Sequence, residues 1–440
     1  MKVKLLGVAV LCATTTFTFA ANDYIKGHIG AMSNQFNSDI GDVPGNRYNG
    51  SVEFDFHKDR PEAVETRFTF ASMVNDQSLA MYSLQEFYVG KNITERNKLK
   101  AGRQILPWSS VDATWGFGKL NNRRNFNYFE PGQEGLTGLS YEFKEMPKRG
   151  IRFRIFGSPI FVPEMNPSLD INKKDRTITS RHPWADAPSA EADTGATGKK
   201  KIQYIVDYPS INEVVWRYSA GLNLGWESKH FVADGFFMRK PENQLSTKVN
   251  VALDAFSDTV KAYITPQFYY HDVYGGNFKY RNADVEMYVS GIAIRPNDFP
   301  DGDQEATRLT EIKTEKRRED YVGGGISKIN DRYGLGVNYV ARLSPFDRER
   351  DSLATDPRWN QAVNLFLMRS LGRSMSIVSD LKYDMMTTDR LFTVRATYMV
   401  SRDLQLNAGV SMIGTPTNGK SFWSPYTNND AVSGDLRYIF

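Results

Sequence analysis

The chain has 440 residues, of which 40% are hydrophobic, 24% charged and 13% aromatic. Charge spread this evenly excludes a bundle of membrane helices, each of which needs about 20 nearly uninterrupted apolar residues. The single cysteine, Cys12, excludes a disulfide framework and a thiol metal site, and a formal charge of +4, or +2 without Lys2 and Lys4, leaves no basic field for nucleic acid.

Residues 1–20 read as a cleaved secretory signal. Lys2 and Lys4 form its basic start, Leu5 to Ala13 its short apolar stretch, and Thr18-Phe19-Ala20 its cleavage site. The remainder, 21–440, reads as one domain.

From Tyr24 onward the period of the sequence is two. Strands are expected near 24–32, 49–57, 63–73, 81–91, 97–105, 136–144, 149–157, 212–226, 229–239, 246–255, 260–270, 283–294, 319–329, 332–343, 360–370, 374–385, 390–400, 404–413 and 432–440. The pattern is plainest in 392–400, where Phe392, Val394, Ala396, Tyr398 and Val400 alternate with Thr393, Arg395, Thr397 and Met399. After Ser401-Arg402-Asp403 it resumes with Leu404, Leu406, Ala408, Val410 and Met412, which makes a hairpin.

A soluble sandwich also alternates. Three features favour a transmembrane antiparallel β-barrel. Very short connections alternate with long polar ones, as periplasmic turns and outer loops do. Aromatics such as Trp226, Phe231, Tyr321, Tyr339 and Tyr398 gather near strand ends, where an interfacial girdle needs them. The last strand carries Leu436, Tyr438 and Phe440 on one face and Asp435 and Arg437 on the other.

The strand number carries a conflict. Nineteen is odd, and single-chain bacterial barrels have even numbers. Read forward, loops 33–48, 106–135 and 158–211 fall outside; read backward, so do 414–431, 344–359 and 295–318. The two series collide between 241 and 318, where a strand is misassigned or a short one near Tyr274 to Tyr280 is missing. About 18 strands are expected, with 16 to 20 allowed, enclosing an aqueous lumen unless loops fold in.

Opposite the apolar positions stand Glu53, Asp55, Glu65, Arg67, Arg152, Arg154, Lys248, Asp254, Glu286, Arg342, Asp380, Lys382, Arg395, Asp435 and Arg437. A charge facing lipid at mid-bilayer costs about 2–4 kcal/mol, so these must point into water or pair. Both signs occur in similar numbers, so no strong ion preference follows. Arg67, Arg152 and Arg154 form either a basic ladder or cross-strand pairs with Glu53, Asp55 or Glu65.

Two segments carry family resemblances. The closing strand with Leu436, Tyr438 and terminal Phe440 resembles that of Gram-negative outer-membrane barrel proteins, which implies recognition by barrel-assembly machinery. The segment 99–139 runs Gly102-Arg103-Gln104, Pro107-Trp108, Trp115-Gly116-Phe117-Gly118, Asn122-Arg123-Arg124 and Glu130-Pro131-Gly132-Gln133-Glu134. It resembles the corresponding segment of alginate-export-type and related substrate-channel porins. That resemblance implies a loop 106–135 folded into the channel. Arg103, Asp112, Arg123, Arg124, Glu130 and Glu134 would then be available to a constriction, with Trp108, Trp115 and Tyr128 beside them. Opposed arginines and carboxylates set which ions pass, and Arg offers bidentate donors to carboxylates. The alternative is a cap whose aromatics anchor it to the barrel rim.

The longest loop, 158–211, is rich in proline and then in small residues from Ala185 to Gly198, and reads as a solvated outer loop or a lid. Loop 295–318 ends in mixed charges, including Lys313, Lys316, Arg317 and Arg318, and offers lipopolysaccharide phosphates a place to sit or forms a solvated hairpin. Asp301-Gly302-Asp303 falls short of a calcium loop, so no metal or cofactor is expected. The five histidines sit in no catalytic motif, and neither Gly-x-Ser-x-Gly nor His-Glu-x-x-His occurs.

The expectation is a non-enzymatic porin of the bacterial outer membrane, passing small hydrophilic solutes and ions by diffusion. The alternatives are a channel selective for acidic sugars or carboxylates, and a structural or adhesive surface barrel. Expected partners are outer-membrane lipid and lipopolysaccharide, the assembly machinery and small solutes, with no nucleic acid. Oligomeric state is not readable from the sequence.

Overall fold

A computed structural model describes residues 23–36, 46–58, 62–73, 81–124, 128–129, 132–146, 149–164, 169–180, 184, 187–193, 198–253, 257–297, 311–313, 317–344, 357–416, 421–427 and 429–439. Of residues 23–36, 46–58, 62–73, 81–82, 124, 253, 311–313 and 439 it describes the backbone. The expected signal segment, Asp254, Glu130 and Phe440 lie outside the described residues.

Among the described residues, eighteen strands form one continuous antiparallel sheet. The first five are β1 (Asp23–Phe36), β2 (Asn46–Lys58), β3 (Glu62–Met73), β4 (Met81–Asn92) and β5 (Asn97–Gln104). Then come β6 (Leu136–Met146), β7 (Arg149–Ser158), β8 (Ser219–Glu227), β9 (Phe231–Pro241), β10 (Tyr270–Arg281), β11 (Val285–Pro296) and β12 (Glu319–Ile329). The series ends with β13 (Tyr333–Arg342), β14 (Gln361–Leu371), β15 (Met375–Asp384), β16 (Arg390–Met399), β17 (Leu404–Gly414) and β18 (Ala431–Ile439). Each strand pairs with its neighbours in sequence, and β1 pairs with β18 from His28 opposite Ile439 to Phe36 opposite Ala431. The sheet is therefore a closed barrel with no edge.

The strand conflict resolves in the region where it arose. The expected strands 246–255 and 260–270 are real but stand outside the barrel, and the missing one is β10, which spans the stretch near Tyr274 to Tyr280. Removing two and adding one turns nineteen into eighteen. Short turns such as 228–230, 282–284, 330–332 and 372–374 then lie at one end of the barrel, and the long connections at the other.

Exposure alternates along the wall. On β8 Leu222, Leu224 and Trp226 face outward, on β14 Leu365 and Leu367, and on β17 Leu406, Val410 and Met412. The intervening residues face inward, and many are buried there, as Phe236, Met238, Val273, Ile292 and Val340 are. No helix among the described residues is long and apolar enough to cross a membrane; the apolar exterior belongs to the strands.

The long loops build a second sheet, to which 158–211 contributes two strands. Its five strands, in spatial order, are Glu191–Asp193, Lys199–Val206, Thr259–Gln267, Ser246–Leu253 and Glu311–Lys313. Lys199–Val206 runs parallel to Thr259–Gln267, with Lys201 opposite Thr259. Ile178, Tyr204 and Ala262 form its small core. Lys248 belongs to this sheet and not, as expected from alternation, to the barrel wall.

Candidate functional site: a loop folded across the lumen

The segment between β5 and β6 enters the barrel because of how its two ends are pinned. Gly102 has φ +127, and a Cβ there would lie 2.3 Å from the carbonyl oxygen of Phe87. At the other end a Cβ on Gly135 would lie 2.4 Å from the backbone of Gln104. Both positions need glycine, and together they press the loop's stem closed. Between them, Ser109 caps a short helix α1 (Ser110–Trp115) by accepting from Asp112 N at 3.2 Å, and Gly116 ends it with φ 61. The Asp112 carboxylate accepts from Lys119 N at 2.9 Å and Leu120 N at 3.0 Å, which folds the following chain back on the helix.

The loop then docks on a distant part of the wall. Ser110 N donates to Asn277 Oδ1 at 2.8 Å, Asn277 Nδ2 to Trp108 O at 2.6 Å, and Val111 N to Ser290 Oγ at 3.3 Å, so α1 sits on β10 and β11. Lys119 Nζ meets Glu319 of β12 at 2.7 Å. Lys240 of β9, fully buried, donates to Leu120 O at 3.0 Å and to Asn243 Oδ1. Asn243 Nδ2 in turn donates to Asn121 O at 2.9 Å and to Gly118 O. Ahead of β14, Arg358 donates to Gly116 O at 3.2 Å and Tyr128 O at 2.8 Å, with its guanidinium 4.9 Å from the Trp423 ring. Trp115 packs edge-on against Trp359 at 5.9 Å, and Trp359 against Trp423 at 5.2 Å.

The expected site residues divide into three groups. Arg103 and Glu134 pair at 2.8 Å inside the protein, with Ser83 Oγ donating to the same carboxylate at 2.5 Å. Arg123 lies 3.5 Å from Glu164 and donates to Gly116 O at 3.1 Å. Asp112, Trp108, Trp115 and Tyr128 are likewise buried, so the aromatic faces hold the loop to the wall and are closed to solute. On the wall, Arg152 pairs with Asp234 and lies 3.8 Å from Glu227, and Arg154 bonds Glu142 at 2.9 Å. These are cross-strand pairs, but with other partners than Glu53, Asp55 or Glu65. On the far sector, Arg395 is exposed to the lumen and Arg437 pairs with Asp435. The backbone register places Arg67 opposite Asp55; its side chain and that of Arg124 lie outside the description. Leu436 and Tyr438 face outward on β18.

Sequence reading missed the residues that hold the loop: Asn277, Glu319, Lys240, Asn243, Arg358, Trp359 and Trp423. A partial signal existed, because Trp359 and Trp423 lie in loops, outside the girdle that explains aromatics at strand ends.

The sector β13–β18 joins the loop's cluster at its loop end, through Val340, Trp359, Ala362, Leu391, Ile413 and Trp423, and is polar farther along the strands. Its inward wall is a chain of polar side chains: Asn364 Nδ2 donates to Asp380 at 2.6 Å, Lys382 lies 3.5 Å from Asp380, and Thr397 Oγ1 donates to Asn407 at 2.8 Å. Asn407 Nδ2 donates to Asp435 at 3.2 Å. Both signs of charge stand in this wall. Among the described residues no group of three His, Cys, Asp or Glu side chains is placed to hold a metal ion.

Asp112 makes the docked loop sensitive to acid. Burial raises its pKa above the ordinary carboxylate value, and the bonds from Lys119 and Leu120 and the charges of Lys240 and Lys119 offset this in part. A raised value means that the docked loop takes up a proton more readily than the released one. Docking therefore gains stability as pH falls through the raised value toward the ordinary one, and loses that gain as pH rises. Conductance should fall as pH falls through this raised value toward the ordinary carboxylate range, and Asp112→Asn should flatten that dependence; an identical pH profile for the two proteins would remove the assignment.

A closed strand ring, an outward apolar face and an inward polar one with a folded-in loop define a membrane-spanning β-barrel. No family model matches the chain, and no curated protein matches it. Among solved structures it is similar to OccAB3 of Acinetobacter baumannii, at 8% identity and TM-score 0.48, over 96% of this chain and 100% of that one. It is similar to OmpF of Salmonella typhi in complex with daunomycin, at 9% identity and TM-score 0.45, over 95% and 97%. A mutant porin of Rh. blastica gives 10% identity and TM-score 0.40, over 95% and 100%.

Proposed function

We propose that this protein is an outer-membrane porin, a non-enzymatic channel through which small hydrophilic solutes and ions diffuse, narrowed by the loop between β5 and β6. The observation that carries this reading is the inward side of the barrel: the loop docks across its loop end, while farther along β13–β18 polar side chains of both signs follow one another and Arg395 is exposed. A barrel of 18 strands has room for both. Purified protein in a planar bilayer should give steady ohmic conductance with a reversal potential near zero under a salt gradient, because the wall carries both signs. Folded protein without conductance would favour the structural or adhesive reading.

The narrower reading, a channel for acidic sugars or carboxylates, rests on the resemblance of 99–139 to alginate-export-type channels and on Arg395 facing the lumen. Against it, Arg103 and Arg123 are engaged by Glu134 and Glu164. The Arg395→Glu variant should move the reversal potential toward cation preference by several millivolts. A solute that blocks wild type and not this variant would favour the selective channel; no shift would place the ion path away from β16.

A further inference from the structure

Four neighbouring strands depart from the apolar exterior. Read toward the loop end, the outward residues run Phe237 to Arg239 on β9, Tyr274 to Asp272 on β10, Ala293 to Arg295 on β11 and Val322 to Asp320 on β12. The register sets Arg239 opposite Asp272 and Asp272 opposite Arg295, so the charges form a row around this part of the wall. Arg295 donates to Asp320 Oδ1 at 2.6 Å and Arg318 to Asp320 Oδ2 at 2.6 Å. One carboxylate thus serves two guanidiniums. The row holds three arginines against two aspartates, with Arg317 adjacent in the chain.

Each charge stands two residues, roughly 7 Å, beyond the preceding outward residue. That is where a bilayer passes from acyl chains to headgroups, and where an outward charge costs least. The tier below is apolar, with the Phe237 and Tyr274 rings 5.1 Å apart. Below that the wall is flat: Gly235 stands opposite Gly276 and Gly276 opposite Gly291. A Cβ on Gly235 or Gly291 would meet no atom nearer than 3.8 or 3.7 Å. An arginine row above aromatic rings and a shallow trough is shaped for an amphiphile with an anionic head.

We propose that the outward face of β9–β12 binds a phosphorylated glycolipid of the surrounding membrane, its phosphate against Arg239, Arg295 and Arg318 and an acyl chain along the trough. Guanidinium groups are suited to phosphate because their donors are planar and forked. A second copy of the chain fits less well, since its own row would bring net positive charge against net positive charge. The site rests on the outer-membrane reading for the identity of its lipid.

The test uses folded full-length protein in detergent, with folding checked by heat-resistant migration on gels and lipid retention read by native mass spectrometry. The probes are diphosphoryl lipid A, its dephosphorylated form, phosphatidylcholine and inorganic phosphate. Diphosphoryl lipid A should be retained at least tenfold more tightly than the dephosphorylated form, and the double variant Arg295→Gln, Arg318→Gln should lose that margin. Gly291→Phe, which fills the trough and leaves the arginines, should weaken retention severalfold. Equal retention of the two lipid A forms, an unchanged double variant, or displacement by millimolar inorganic phosphate would each overturn the proposal. So would an oligomer that the double variant dissociates, since the face would then be a contact between copies. Conductance of the same variant in phospholipid bilayers separates this inference from the channel reading: a conducting wild type that ignores lipid phosphate defeats the lipid site alone, and a non-conducting one defeats the channel.

Discussion

Replacing Arg358 by leucine should loosen the loop across the lumen and raise single-channel conductance severalfold, with larger open-channel noise. The guanidinium is buried, donates to the carbonyls of Gly116 and Tyr128, and packs against Trp423. Leucine would leave the Tyr128 carbonyl without this donor, costing about 1–3 kcal/mol, while Gly116 O keeps its bond from Arg123. Together with a lost cation–π contact of about 1 kcal/mol, the docked state would weaken by about 2–4 kcal/mol. Because 1.4 kcal/mol is a factor of ten, a loop docked nearly all the time would become one that opens measurably. Arg358→Lys retains charge but loses the fork that reaches both carbonyls, so its conductance should fall between the two. Unchanged conductance and noise in the leucine variant would show that the loop is held elsewhere.

Trp115→Ala should lower the stability of the folded barrel by about 3–5 kcal/mol, the range for removing a large aromatic from a packed interior. Trp115 is 2% exposed, in contact with Trp359, inside a cluster that includes Leu106, Val111, Leu120 and Trp423. The control is Trp226→Ala, at a lipid-facing position that is 50% exposed, where the loss in detergent should stay below about 1 kcal/mol. Urea unfolding of both variants checks this. Equal losses would mean that the inward cluster contributes no more than the outward girdle, and the loop would have to be held by polar contacts alone.

The barrel was legible where one face meets lipid and the other water, as in β16 and β17. Legibility failed in two physical situations. The stretches 246–255 and 260–270 alternate because Val249, Val260, Ala262 and Ile264 face their own sheet's interior; a period of two reports a half-buried strand and says nothing of which sheet owns it. β10 was hidden for the converse reason. Its inward Val273 packs under the loop, its outward Asp272 belongs to the charged row, and Gly275-Gly276 adds no side chain to either face. The inward folding of the loop was expected from resemblance. Its attachment was not, because Lys240, Asn243 and Arg358 come from segments 120 or more residues away, and only closure of the barrel brings them to it. Arg103 and Glu134 were named as candidates, but that they neutralise each other depends on glycines at both ends of the loop.

The sheet built from the outer loops has a bearing on the order of assembly. Its parallel pair joins Lys201 to Thr259, so two barrel crossings, β8 and β9, separate the halves of one seam. Closing such a distance carries an entropic penalty until the intervening hairpins stand side by side. The seam therefore forms after the wall beneath it, as a clasp across the connections that precede β8 and β10, and Glu311–Lys313 extends the clasp to the next connection along. A chain halted with its wall built and its clasp unmade would present five unpaired strands to its surroundings. The same segments that finish the fold are thus the ones most exposed to wrong pairing while it is being made.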